Sequence, residues 1–460
     1  MGRNRPMVRL LVSGALIQAA MVGILCLGDA SQGMPTFFVL FGAAFLAYVF
    51  AAAGCRGMPI RAVVVLGLLF RLTLLPSTPS LSDDVYRYVW DGRTQTHGIN
   101  PYRYAPASAE LAHLRDEAVY ERVNHGDVPT IYPPLAQLFF LGCYAIWPSL
   151  WCLKTALVAL DLLGAWFLLG LIRLRGLPSG LLLIYLWNPL VIVEVSGSGH
   201  IDILGVALLL WALLLAERGC TVRAGAALGL SFLSKLFPAC LVPFLVCARA
   251  DTPLGRPPTA SGLRRVGPAL AFLAVSVLGY APYLGVGVGV WTGLRTYAAR
   301  WSFNGSVYDI LCLVLGSDML ARAGLGLTFG TVVVILAWRG ARPVPAGSFL
   351  TALFILLSPT VHPWYLLWLV PYLALRPNPA WMGFTGLVML SYHVLIGYAA
   401  TGVWEEALWV RLAEYGGLAA IWLIGRQRMR RPFQHDRDKG PGEQQSAPGG
   451  CCPGGALSNR

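Results

Sequence analysis

Residues 150–172 read LWCLKTALVALDLLGAWFLLGLI, with Ser149 before them and Arg173 and Arg175 just after. A run this apolar matches the roughly 20 residues that a helix needs to cross the hydrocarbon layer of a membrane. Blocks of the same kind recur at 10–28, 36–54, 62–78, 180–195, 201–217, 224–248, 265–285, 320–338, 347–375, 380–399 and 406–425. Composition agrees: 56% of the 460 residues are apolar and only 12% are charged, about half the charged share of an ordinary water-facing domain. Disorder is excluded for the body of the chain, because disordered segments are polar and poor in aromatics. The expected fold is therefore all-α, a polytopic transmembrane helical bundle.

The formal charge is +13, from 35 Lys and Arg against 22 Asp and Glu. Nucleic acid need not explain it, since Lys and Arg collect in the cytoplasmic loops of membrane proteins. Arg3, Arg5 and Arg9 precede the first block and place the N-terminus inside. Arg56 and Arg61, Arg173 and Arg175, Arg218 and Arg223, the cluster from Arg249 to Arg265, Arg339 and Arg342, and Arg426 to Arg431 flank later blocks.

Two blocks are interrupted, by Ser234-Lys235-Leu236-Phe237-Pro238 and by Ser358-Pro359-Thr360-Val361-His362-Pro363-Trp364. Proline removes a helical hydrogen bond and clashes with the preceding turn. Unwound backbone at membrane depth is tolerated only against protein or water. If every arginine cluster is cytoplasmic, both broken blocks turn back as hairpins, and the chain makes about 14 crossings or half-crossings. The stretch 135–147, between Pro134 and Pro148, is too short to span and is expected in the interface. The loop 79–131, the Gly197–Asp202 turn, Lys235, the 286–306 segment and the His362 turn then share the extracytoplasmic face. Residues 426–460 read as a disordered basic cytoplasmic tail behind a membrane domain spanning 1–425. The ten cysteines form no disulfide or metal-ligand pattern.

The loop 79–131 holds eight of the 22 acids: Asp83, Asp84, Asp91, Glu110, Asp116, Glu117, Glu121 and Asp127. It opens SLSDDVYRYVWDGR (80–93), with Ser82 placed to cap a helix. Spacing of four puts Asp83, Arg87 and Asp91 on one side of that helix. Adjacent carboxylates at a membrane surface suit a general base, because a close like charge raises one of their pKa values towards the range a base needs. First-turn acids that only favour the helix dipole fit the same spacing. Arg87 fits an anion contact or a salt bridge to Asp83 or Asp91. Lys235, in its proline-broken hairpin, fits a phosphate contact or a lysine snorkelling to the interface.

His200 and Asp202 lie in Gly197-Ser198-Gly199-His200-Ile201-Asp202, six residues after Glu194. Ionisable residues at membrane depth are functional by default, so these three are candidates for sugar or acceptor hydroxyls, and His362 for phosphate or sugar. Asp161 is mid-span and is expected to bond a neighbouring helix. His97, His113, His125 and His393 carry no such pattern.

Asp83-Asp84-Val85-Tyr86-Arg87-Tyr88, with Trp90-Asp91-Gly92-Arg93 and Gly98-Ile99-Asn100-Pro101-Tyr102, resembles the bacterial polytopic mannosyltransferases of the GT-C superfamily. It is similar to the polyprenyl-phosphate-mannose-dependent enzymes of glycosyltransferase family 87 and their uncharacterised relatives. The likeness continues through Tyr132-Pro133-Pro134, Trp187-Asn188-Pro189-Leu190, Glu194 with Gly199-His200-Ile201-Asp202, Lys235-Leu236-Phe237-Pro238 and His362-Pro363-Trp364-Tyr365, and so covers roughly residues 60–425.

The resemblance implies an inner-membrane enzyme that moves a hexose, with mannose expected, from a polyprenyl-phosphate sugar to an acceptor hydroxyl on the extracytoplasmic face. It implies an inverting displacement with Asp83 or Asp84 as base, and neither metal nor cofactor. Arg87, Lys235, His362 and Tyr365 would meet the donor; Asp91, Asn188, Glu194, His200 and Asp202 would meet sugar or acceptor, a lipid or glycan hydroxyl. A transporter or flippase of lipid-linked sugars is the alternative, since it too would use broken helices and buried charge.

Overall fold

A computed structural model describes residues 5–247 and 263–437. Most of the expected 249–265 arginine cluster, and residues 438–460 of the expected tail, lie outside the described residues. Helices α1 (Arg5–Cys26), α2 (Met34–Ala52) and α3 (Ile60–Leu74) lead into α4 (Asp84–Thr96). A long loop with two short 3-10 turns, Ala109–Leu114 and Tyr120–Arg122, returns to α5 (Pro134–Ile146) and α6 (Leu150–Leu174). Two short helices follow, α7 (Leu183–Leu186) and α8 (Pro189–Ile192), then α9 (Asp202–Glu217), α10 (Thr221–Phe232) and α11 (Val242–Val246). The remainder holds α12 (Leu263–Tyr280), α13 (Thr292–Arg300), α14 (Val307–Leu315), α15 (Asp318–Trp338) and α16 (Pro343–Leu357). It ends with α17 (Val370–Leu375), α18 (Pro379–Leu387), α19 (Val394–Thr401) and α20 (Leu408–Arg437). The last helix runs past residue 425, where the sequence pattern places the start of the tail.

The protein is a multi-pass helical bundle. Among the described residues six helices are long and apolar enough to cross a membrane, or seven if the pair Ser179–Leu186 and Pro189–Gly197, bent by 57°, is one span. The count from apolar blocks is higher because several blocks fold as helices too short to cross, among them Phe237–Val246, Pro343–Leu357 and Pro363–Leu375. Pro238, Pro243, Pro363 and Pro371 each sit in the first turn of a short helical segment (Phe237–Leu241, Val242–Val246, Pro363–Trp368 and Val370–Leu375), and Pro359 follows the end of α16, where a missing N–H does least harm. The 57° bend at Trp187-Asn188-Pro189 is a break that the apolar pattern did not reveal.

Two ends of the bundle can be told apart. Arg175 pairs with Glu217 at 2.6 Å, joining the C-termini of α6 and α9, and the Cys55–Gly57 turn packs on Ser179–Leu182 beside them. At the opposite end lie the start of α4, the 197–202 turn and Lys235. Between the ends, Arg71 of α3 pairs with Asp161 of α6, both fully buried. Tyr185 donates to the other oxygen of Asp161, and Arg71 also donates to the Leu186 carbonyl at 2.7 Å. Asp161 thus finds its expected partner on a neighbouring helix.

Helix α4 is buried on nearly every side from Val85 to Gly92. It lies close on α5: a Cβ at Gly92 would stand 2.7 Å from the Phe140 carbonyl oxygen, and Tyr88 stacks on the Phe140 ring at 4.6 Å. Its N-cap is Asp83, not Ser82. Ser82 stands one position before that cap, and its hydroxyl accepts a 3.3 Å hydrogen bond from the Asp84 N–H.

Candidate active site

The first turn of α4 separates the two adjacent acids. Asp83 is exposed, yet the protein around it pushes its carboxyl up from the ordinary value, with Arg122 opposing the rise and Asp84 adding to it. Asp84 is half-buried and turned inward. Its Oδ1 accepts a 2.9 Å hydrogen bond from Asn124, and its Oδ2 lies 3.9 Å from Nδ1 of His200.

His200 is placed by an irregular stretch. Asn188 caps α8 by accepting from the Leu190 N–H at 3.0 Å, and a π-helical turn follows at Val193–Gly197. Such single π turns occur often at functional sites. Gly199 then takes φ +78, a backbone that residues with a Cβ rarely adopt, and a Cβ there would meet the Lys154 side chain at 3.2 Å. The imidazole that results is 1% exposed. Its Nε2 is 3.1 Å from Glu194 Oε2, and neither ring nitrogen makes a hydrogen bond of good geometry. Glu194 is itself buried and accepts from the Tyr392 hydroxyl at 3.0 and 3.1 Å.

Beside this pair lies a cation. Lys235, at the break after α10, is 2.6 Å from Asp202 Oδ1, and Trp368 donates to the same oxygen at 2.7 Å. The ammonium also stands 4.3 Å above the Tyr365 ring, and the Tyr365 hydroxyl bonds that of Tyr297. Phe303, His362, Trp364 and His200 form a ladder of stacked rings with centroid steps of 4.7, 4.2 and 3.9 Å. The 286–306 segment is tied to the His362 turn by an isolated bridge in which Phe303 N–H donates to Pro359 O at 3.0 Å and Val361 N–H to Phe303 O at 2.8 Å.

The structure therefore brings together Asp84, Glu194, His200, Asp202, Lys235, His362 and Tyr365, drawn from four stretches of the chain. It leaves Asp83 exposed and does not bring in three others. Arg87 pairs with Asp91 at 2.9 Å and donates to the Val128 carbonyl. Asp91 also accepts from Gln137 at 2.8 Å and from Thr130, so this pair ties the returning loop to α4 and is spent inside the protein. Asn188 is fully buried as a cap and donates to Thr385 at 3.1 Å.

Sequence reading missed Asn124, Trp364, Tyr392, Tyr297 and Arg71. His125, set aside there, lies edge-on to Trp301 at 4.4 Å with φ 50, and burial pushes its pKa down. Among the described residues no group of three or more His, Cys, Asp and Glu is placed to hold a metal ion.

Comparison with known proteins adds to this geometry. A family model described as alpha-(1->6)-mannopyranosyltransferase, N-terminal domain, matches residues 7–251, just over half of the chain. That range contains Asp84, Asn124, Glu194, His200, Asp202 and Lys235. GPI mannosyltransferase 1 of Gibberella zeae is 28% identical over 180 residues, which are 38% of this chain and 34% of that protein. The chain thus aligns with about a third of the length of that curated relative. No solved structure matches the chain. The match over residues 7–251 agrees with the likeness seen in the aspartate loop, and the chain belongs to the alpha-(1->6)-mannopyranosyltransferase family, a group of membrane proteins of the GT-C superfamily.

Proposed function

We propose that the protein is a membrane glycosyltransferase that moves mannose from a polyprenyl-phosphate sugar to an acceptor hydroxyl. The reaction takes place on the extracytoplasmic face of a bacterial inner membrane. The family match supports mannose and transfer; the relative of Gibberella zeae, by its printed name a GPI mannosyltransferase, supports the same class. Support for the face comes from charge: Arg56, Arg173, Arg175 and Arg218 lie at the end of the bundle opposite the acids, as the positive-inside preference asks.

The observation that carries the reading is Asp84, an inward-turned carboxylate held by Asn124 and standing over His200 within a membrane body. In one displacement, Asp84 takes the acceptor proton as the bond from acceptor oxygen to the sugar C1 forms. The C1–phosphate oxygen bond breaks on the opposite side, and the polyprenyl phosphate leaves with the electron pair. Lys235 and the tyrosine pair at Tyr365 and Tyr297 face the developing phosphate charge. Lys235 is already partnered by Asp202, which holds the cation in place while leaving two of its three N–H groups for a ligand.

Membranes holding the full chain, given radiolabelled polyprenyl-phosphate mannose and mannoside acceptors, test this. Wild type transfers label; Asp84→Asn does not, while its expression and donor binding are unchanged. Transfer that survives in Asp84→Asn, Asp83→Asn and the double variant removes the assignment of the base.

A further inference from the structure

His200 is the least satisfied buried polar side chain near the acids. Its ring is 1% exposed, and neither nitrogen has a hydrogen bond of good geometry, although each faces a carboxylate. Glu194 Oε2 is 3.1 Å from Nε2 and Asp84 Oδ2 is 3.9 Å from Nδ1. A packing histidine would satisfy at least one nitrogen, and a metal ligand would need further donors that are not there among the described residues.

We propose that His200 is the proton store behind Asp84, with Glu194 as its counter-charge and Tyr392 holding that carboxylate in place. The inference rests on the reading of Asp84 as the base. A carboxylate can only accept, so Glu194 keeps the neutral imidazole protonated on Nε2 and leaves the Nδ1 lone pair towards Asp84. When Asp84 has taken the proton of the acceptor hydroxyl, that proton passes to Nδ1. Asp84 becomes an anion again and His200 an imidazolium between two carboxylates. The leaving phosphate carries the electron pair from C1, and the proton returns to solvent from the ring once product leaves, so charge balances.

The surroundings are built for this. Gly199, whose φ of +78 residues with a Cβ rarely adopt and which lies close over the Lys154 side chain, aims the ring. Trp364 holds it face-on at 3.9 Å, which leaves only its edges free. Tyr392 donates to both oxygens of Glu194 and fixes that carboxylate from a helical segment 198 residues away. The other charged or titratable groups near the ring are largely committed. Asp202 and Lys235 pair with each other, Lys154 donates to the Ser77 carbonyl, and His362 lies beyond Trp364. His200 is a positioning residue in this scheme: it acts on the substrate through Asp84.

The test uses the full chain in lipid vesicles, with radiolabelled polyprenyl-phosphate mannose and a short alkyl mannoside. His200→Ala is expected to lower kcat about 100-fold, with the donor KM changed less than about threefold, and added imidazole restores part of the rate. Glu194→Gln keeps measurable transfer and lowers kcat more than it changes the donor KM. A His200→Ala protein with wild-type kcat overturns the proposal. So does a loss of rate that imidazole does not restore, because His200 would then only pack. Both results leave the enzyme reading standing if Asp84→Asn is dead. Full transfer by Asp84→Asn instead overturns the base and this inference with it.

Discussion

Two ionic clusters are buried in this bundle, and they are built on opposite plans. Around Asp161 the opposite charges are in direct contact: Arg71 pairs with one oxygen, Tyr185 donates to the other, and Arg71 fastens two backbone carbonyls as well, with one of its terminal nitrogens left over. Around Asp84 the accounts stay open: His200 has two unmet nitrogens, and a 3.9 Å gap separates it from the carboxylate. Desolvated charge is costly unless fully paired, so the closed cluster holds helices together. The open one leaves a carboxylate and an imidazole facing each other across a gap, as the proposed site requires.

The contrast can be broken from either side. The largest effect is expected at the scaffold: Arg71→Met leaves Asp161 as a lone buried carboxylate and costs about 3–5 kcal/mol of stability. Thermal unfolding in detergent reads this, and Arg71→Met with Asp161→Leu should recover most of the loss. A stable single variant would mean that the pair is not the brace described. Asp84→Asn should do the reverse, lowering transfer by about two to four orders of magnitude while the unfolding temperature stays at the wild-type value. If it unfolds the protein instead, the contrast between the clusters collapses.

Smaller effects sharpen the picture. Lys235→Gln removes a charge shared between Asp202 and the ligand, and should raise the donor KM about tenfold, some 1.4 kcal/mol. An unchanged donor KM with a raised acceptor KM would move the phosphate elsewhere. The smallest effect concerns the loop after α4. Arg93 pairs with Asp116 at 2.7 Å, and that hydrogen bond, the main cause, holds the Asp116 carboxyl below the usual range. An acid with a depressed pKa contributes stability that is present above its unfolded value, near 4, and lost as pH falls through its folded one. Protease cutting within 97–133 should therefore quicken modestly as pH drops below about 4, and Asp116→Asn should remove the pH dependence.

Part of this was legible beforehand. Apolar runs announced the membrane bundle, and the prolines after Lys235 and around His362 marked real breaks in the helices. The grouping of the aspartate loop, the 197–202 turn, Lys235 and the His362 turn followed from where the arginines lie, and contacts now join them: Asp84 with His200, Lys235 with Asp202 and Tyr365. What stayed hidden has a common cause. Arg71 sits inside an apolar block and announces nothing until Asp161, 90 residues on, is seen beside it. Tyr392 reaches Glu194 across 198 residues, and Asn124 reaches Asp84 across 40. Arg87 and Asp91, four apart, fit either a site or a local pair on spacing alone; only Gln137 and Thr130, which close around Asp91, show that the pair is spent within the fold.

By itself the sequence determined the solvent: runs of apolar side chains long enough to cross a bilayer, and prolines that stop helices, act locally and need no partner to be read. It also marked most of the residues that could carry chemistry, since acids, histidines and lysines are rare in such runs. Only the tertiary structure decided which of them are free to use it. A buried charge is inert or reactive according to what faces it, and in a folded bundle its neighbours come from anywhere in the chain.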